Sequence, residues 1–284
     1  MIKSYKLRRH IANAFVYLFL IVMGFVWISP FIYLLMHSFR GGAEIYGSTI
    51  IPQEWTLQNY IDLFTGSGGT ASLNFPRWFL NTFVVACFSC VISTISVLMV
   101  SYAFSRLRFK ARKKFMNVGM ILGMFPGFMT MIAIYYLLKA MGLTQTLVAL
   151  VICYSCGAGL GFQISKGFFD TIPRALDEAA TIDGAGVWHR FAHITVPMMT
   201  PVLFFQTVMG MINAFQTFTQ AYVMTEGGPS NATLFYVLYL YKQAFQSYKM
   251  GYACVLAWVL FLIILALTVL LFSTSRRWVF YSDN

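Results

Sequence analysis

The stretch Asp177–Pro197, DEAATIDGAGVWHRFAHITVP, decides how the rest of this chain is read. Two acids, a Gly-rich turn and two histidines arrive together, while both flanks are apolar enough to live in lipid. A polar segment of this kind has a simple place in an α-helical membrane protein, as a connection outside the hydrocarbon. It has no simple place in a soluble core.

Composition supports the first reading. The 284 residues are 59% hydrophobic, 18% aromatic and 10% charged, with a mean hydropathy of +0.70. A soluble domain of that length needs more polar surface. A transmembrane helix takes roughly 20 apolar residues to cross about 30 Å of hydrocarbon. Six stretches qualify, at about 12–37, 79–104, 115–138, 143–165, 198–223 and 250–275, and none contains Asp, Glu, Lys or Arg. In lipid each must be helical, because a lone strand would leave its backbone unpaired. The expectation is an all-α membrane protein of one domain, 1–284, with six continuous helices. The lead-in 1–11 is basic. The apolar run after it is longer than a signal-peptide core and lacks a small-residue cleavage site, so it reads as a retained helix.

Basic residues orient the chain. With the N-terminus inside and alternating spans, 15 of the 20 Lys and Arg fall on the cytoplasmic side, with Arg40, Arg77, Lys139, Lys242 and Lys249 outside. The net charge of +11 is then a topology signal, and no nucleic-acid partner is expected. Both termini and the 173–197 loop, between helices 4 and 5, are placed in the cytoplasm of a bacterial cell, with the bilayer around the spans.

Several chemistries find no support. The spans carry no ionisable relay, and no Walker A sequence is present. Carboxylate pairs and zinc clusters are also missing, so no catalytic residue, metal site or cofactor is expected in the chain. Cys87-x-x-Cys90 and Cys153-x-x-Cys156 lie within apolar spans and read as small core residues. His189 and His193 lack the glutamate of HExxH and read as polar-face residues. Gly157-x-x-x-Gly161 reads as close helix packing, and the stripe Ser89, Ser93, Ser96 as packing too.

Within the opening stretch, Pro173 suits a first helical turn, with Thr171 as its cap. Arg174–Ile182 then forms a short helix with Ala175, Ala179 and Ile182 on one stripe and Asp177 and Glu178 off it. Asp183–Gly186 turns, and a second helix with Val187, Phe191 and Ile194 along one side ends before Pro197. Such a helix–turn–helix is built to dock.

Its register resembles the EAA motif of permease subunits in ABC importers: Glu178-Ala179-Ala180, three residues, Gly184, nine residues, Ile194, one residue, Val196-Pro197. The family usually has Leu at the position of Val196. The resemblance implies a coupling helix pair that inserts into a cleft on an ATPase subunit. Glu178 would pair with a basic residue there, Gly184 would permit the turn, and Asp183, Ala185 and Trp188 would lie in or beside the docking surface. It further implies a second permease chain, an ATPase dimer that binds the ATP and Mg, and an extracellular substrate-binding protein.

Other stretches resemble carbohydrate importers of the maltose type: Ile28–Arg40, Pro52–Phe64, NTFVVA at Asn81, and SYAFSRLRFKARKKF after the second span. Thr225–Thr233 and Tyr239–Ala253 resemble the larger permease partner of such systems. In the fifth span Asn213, Gln216, Thr217 and Gln220 recur at three, four and seven, so they share a helical face, beside Phe218 and Tyr222. By resemblance this helix contacts sugar; by the residues alone, the amides either bind hydroxyls or bond between helices. The alternative to an importer subunit is an ATP-independent sugar facilitator or secondary transporter.

Overall fold

The computed structural model describes residues 5–41, 49, 51–66, 75–156, 162–228 and 230–280. Gly157 and Gly161 lie outside them. Helix dominates, and among the described residues the one β-bridge pairs Arg40 with Trp55. The chain divides into two compact units, Met1–Ser72 with Leu240–Phe261, and Leu73–Tyr239 with Leu262–Asn284.

In the first unit, α1 (Tyr5–Ser38) is followed by α2 (Gln58–Thr65). The turn between them folds onto the end of α1. Thr56 N donates to Phe39 O at 2.8 Å, Asn59 Nδ2 donates to Ser38 O and Arg40 O, and Ser38 Oγ meets Tyr60 Oη at 2.9 Å. The start of α13 (Met250–Trp278) packs on the same place. A Cβ on Gly251 would stand 3.0 Å from Asn59 Nδ2 and 3.3 Å from His37 O, so glycine is what lets the helices approach.

The second unit is built on α3 (Phe75–Arg106), with α4 (Arg112–Gly123), α5 (Gly127–Ala140), α6 (Leu147–Cys156), α7 (Phe162–Thr171), α8 (Arg174–Ile182), α9 (Val187–Arg190), α10 (Val196–Phe215), α11 (Thr219–Met224) and α12 (Tyr236–Tyr241). Among the described residues four helices are long and apolar enough to cross a membrane: Arg8–Ser38, Phe75–Arg106, Val187–Phe215 and Met250–Trp278. Two of the expected spans are interrupted, and a third, 143–165, includes residues 157–161, which lie outside the described ones. The 115–138 run breaks after Gly123, because Pro126 has no N–H and holds an extended backbone at φ −56°, ψ 133°. The 198–223 run stops at Phe215 and resumes at Thr219, without a proline or glycine at the break.

Two local expectations are corrected. Thr171 does not cap α8, since its hydroxyl turns back to Phe168 O within α7. The helix after the Gly-rich turn does not end before Pro197. A π-helical turn, Phe191–Thr195, carries it straight into α10, with Val196 N bonded to Phe191 O. The widened turn accommodates the proline, which has no N–H to offer the preceding turn.

Around the N-terminal end of α3, Trp78 and Tyr236 are almost fully buried, their rings 5.1 Å apart and edge to face. Tyr236 opens α12, where a backbone N–H has no partner in its own helix. Thr82 Oγ1 accepts it at 3.0 Å from a helix far away in sequence. Thr82→Val keeps the shape and leaves that N–H buried and unpaired, which costs about 1–3 kcal/mol. A lower thermal midpoint in nanodiscs is expected; an unchanged midpoint would contradict this capping role.

Candidate functional site

The EAA-like stretch forms a compact helix–turn–helix. At the end of α8, Ala185 N donates to Ala180 O at 2.9 Å and Gly184 N to Thr181 O at 3.1 Å. This pair of bonds, with Gly184 left-handed at φ +81°, is a Schellman close. A Cβ at Gly184 would touch nothing within 4 Å, so backbone conformation and not space selects glycine there. Arg190 reaches back from α9 to the Thr181 hydroxyl and to Asp177 O, tying the two helices together.

The outer side of this pair is exposed and partly apolar. Ile182 is 86% exposed and Trp188 83%, with Val187, Ala175, Ala179 and Glu178 also outside. Ala180 and Ala185 are half-buried, and Asp183 is exposed. Ile194 is half-buried and, with Pro197, belongs to the π turn and the start of α10, so these two lie on the continuing helix and not on the tip. The His189 and His193 rings stack at 4.1 Å on an exposed face.

The inner side is held by charge. Arg106 Nη1 lies 3.7 Å from Asp177 Oδ2, and its Nη2 donates to Ile172 O at 3.0 Å. Asp170 accepts from Ser105 Oγ at 2.6 Å and pairs with Lys166. Burial works to raise the Asp170 carboxyl, but the Lys166 and Ser105 hydrogen bonds and the Lys166 and Arg112 charges outweigh it and hold the pKa below the usual 3.8.

A second feature is a cavity of about 460 Å³, within the size range of small-molecule sites. Asn213, Gln216, Thr217, Phe218 and Gln220 all line it. They do not share one continuous helical face, as the 3-4-7 spacing suggests. Asn213 is in α10, Gln216 closes that helix, Thr217 and Phe218 form the break, and Gln220 is the second residue of α11. Asn213 Nδ2 donates to Met209 O and Thr217 Oγ1 to Ala214 O, so two side chains compete for the ladder where the helix ends. Among the described residues, Asn213, Gln216 and Gln220 make no hydrogen bond to another helix.

The facing wall was not foreseen. Ser89, Cys90, Ser93 and Thr94 of α3 and Tyr154 of α6 line it, so two members of the serine stripe face the cavity while Ser96 does not. Among the described residues, Ser89 Oγ is buried without a partner, and the Tyr154 hydroxyl lies near Thr217 and the Ala221 backbone without a hydrogen bond of normal geometry. A lone Tyr in an apolar run gives no sequence signal. No Asp, Glu, Lys, Arg or His is among the described residues that line the cavity. Among the described residues no group of three or more His, Cys, Asp or Glu could hold a metal.

The described residues thus form a helical membrane chain with a cavity partly lined by polar groups and an exposed helix–turn–helix. Comparison with known proteins gives it a family. The model described as "Binding-protein-dependent transport system inner membrane component" matches residues 3–279, and the chain belongs to that family. The permease protein GanQ of the galactooligosaccharides transport system of Bacillus subtilis (strain 168) is 33% identical over 203 residues, 71% of each chain. The maltodextrin transport system permease protein MdxG of the same organism is 34% identical over 200 residues, 70% of each. A bacterial alginate ABC transporter, crystallised in complex with alginate pentasaccharide-bound periplasmic protein, has a chain that superposes with a TM-score of 0.70 at 17% identity, covering 95% of this chain and 96% of that one. That likeness speaks for the fold. Family membership makes the chain a membrane-bound transport component that depends on a binding protein, and it displaces the facilitator and secondary-transporter readings.

The sign of the Asp170 shift gives a pH prediction. A depressed folded-state pKa contributes stability above the unfolded value, and that contribution is lost as pH falls through the folded value. Asp170→Asn is therefore expected to lower the thermal midpoint at neutral pH, with the gap to wild type closing below about pH 3.8. A gap that persists at low pH would assign the effect to something other than ionisation.

Proposed function

We propose that this chain is one of two permease subunits of an ATP-driven importer for a sugar or oligosaccharide. The 173–197 segment docks in the cytoplasm on one subunit of an ATPase dimer, where ATP and Mg are bound. A substrate-binding protein delivers the sugar from outside, and both termini are cytoplasmic. ATP closes the ATPase dimer, the docked helix pair moves with it, and the cavity switches from inward to outward access as a rigid-body change.

The observation that carries this reading is the Schellman-closed helix pair, which holds the EAA register in shape and presents Ile182, Val187, Trp188 and Glu178 outward. Glu178 and Asp183 have no ion-pair partner among the described residues, which suits them to meet basic groups on another protein. The sugar assignment draws on the names of GanQ and MdxG, and on a cavity whose amides, hydroxyls and aromatic rings match a neutral, hydroxyl-rich solute.

Gly184→Asp places a side chain at φ +81° and adds charge to the exposed tip. The spans are expected to insert normally while uptake is abolished, measured with radiolabelled oligosaccharide in cells with confirmed membrane expression. Normal uptake by this variant would sink the docking reading.

Gln216→Ala tests the cavity separately. The Gln216 side chain makes no internal hydrogen bond among the described residues, and its backbone bonds to Ile212 O and Asn213 O survive the change, so stability should hold. Loss of one solute hydrogen bond is expected to reduce uptake efficiency about 2- to 12-fold. An unchanged KM and rate would remove this residue from the path.

A further inference from the structure

We infer that Arg106 is the joint through which the 173–197 segment moves α3, and with it one wall of the cavity. The inference rests on the docking reading above and adds a positioning residue to it.

The first support is the stiffness of α3. It runs unbroken from Phe75 to Arg106, and past Pro76 in its first turn it contains neither proline nor glycine. Its two functional stretches lie on one rod. Ser89, Cys90, Ser93 and Thr94 wall the cavity, and Arg106 ends the helix. At 1.5 Å per residue, Ser93 and Arg106 are about 20 Å apart along the axis. A helix packed on its neighbours carries a displacement of one end to the other, because close-packed interiors do not absorb it.

The second support is how the far end of the rod is fastened. Arg106 is 9% exposed and grips two places at once: Ile172 O, in the link before α8, and the Asp177 carboxylate, in the first turn of α8. One residue earlier, Ser105 bonds Asp170. One turn back, the Tyr102 ring stands edge to face against Phe169 at 5.8 Å and Phe191 at 5.5 Å, and Ser101 Oγ donates to Phe162 O at 3.0 Å. Four groups within Ser101–Arg106 therefore hold α7, α8 and the π turn. Of these, Arg106 alone touches the docking helix α8 through a charge pair. Asp177 sits beside Glu178 and is the more covered of the two, with its carboxylate on Arg106, while Glu178 is exposed. Adjacent acids thus divide the work: one faces outward, and one returns the motion to α3.

Spatial continuity between two sites does not by itself show that energy passes between them. A charge-reversal cycle supplies that evidence. The importer is purified whole, with its ATPase subunits, for wild type, Arg106→Asp, Asp177→Arg and the double reversal, with Arg106→Gln as a milder variant in case a reversed charge prevents assembly. In proteoliposomes three quantities are read: the ATPase retained on purification, the ATPase rate with and without loaded binding protein, and solute moved per ATP hydrolysed.

The expected result is that the single variants keep their ATPase but transport about 2- to 30-fold less per ATP, with ATP hydrolysis less dependent on the binding protein. The double reversal should recover most of that loss, which a merely structural role would not predict. Wild-type transport per ATP in the single variants, or a double reversal that recovers nothing, would overturn the inference. Loss of the ATPase from Arg106→Gln would also overturn it, by showing that Arg106 only shapes the docking surface; the docking reading would then stand. A wild-type chain that retains no ATPase would instead bring down the docking reading, and this inference with it.

Discussion

In hydrocarbon no backbone N–H or C=O can be left without a partner, and the shape of this chain follows from that constraint. Helix is the answer for the apolar runs, and each interruption keeps its bonds. Beside Pro126, Met124 and Phe125 still donate to Ile121 and Leu122. The π turn at Phe191–Thr195 shifts the ladder by one residue without opening it, and the one at Lys242–Gln246 ends its helix with Ser247 N still bonded to Lys242 O. The break at Gln216–Phe218 coincides with the wall of a polar cavity, which is where irregular backbone is tolerated at membrane depth.

What could be read in advance followed this constraint closely. Long apolar runs located α1, α3 and α13 to within a few residues, and Pro126 marked its own break. The Gly184 register located the docking turn because one left-handed residue there leaves a glycine in the sequence. The break at Gln216–Phe218 left no such mark, since Asn213 and Thr217 are tolerable within a helix and disclose their back-bonding only in three dimensions. The 3-4-7 spacing thus found the cavity residues, although the continuous helix it assumes is not there. Pro197 misled in the other direction, because a π turn lets the helix pass through it. Ser89, Ser93 and Tyr154 were illegible as cavity residues: a small hydroxyl or a lone ring serves packing equally well until its neighbours are known. Arg106 was legible as a topology charge, with no hint in the sequence that Asp177 was its partner.

The charge economy of the docking segment explains why so few acids suffice. The whole chain carries nine Asp and Glu against twenty Lys and Arg. Asp170 and Asp177 are engaged by Lys166 and Arg106, and these pairs hold the segment to the body of its unit. Because both carboxylates keep part of their solvent exposure, their desolvation cost stays modest. The turn can then be rigid without being buried, as the docking role proposed for it requires.

The approach of Gly251 to the carbonyls of His37 and Arg40 has a consequence for biosynthesis. It joins a helix made early in translation to one made near the end, within a unit assembled from Met1–Ser72 and Leu240–Phe261. Chains grow from the N-terminus at about 5–20 residues per second. The buried polar end of α1, with His37, Ser38 and Arg40, therefore waits in the nascent chain until the last long helix arrives to cover it. Synthesis that stops before Gly251 leaves that polar end uncovered, so its burial depends on a segment some two hundred residues downstream.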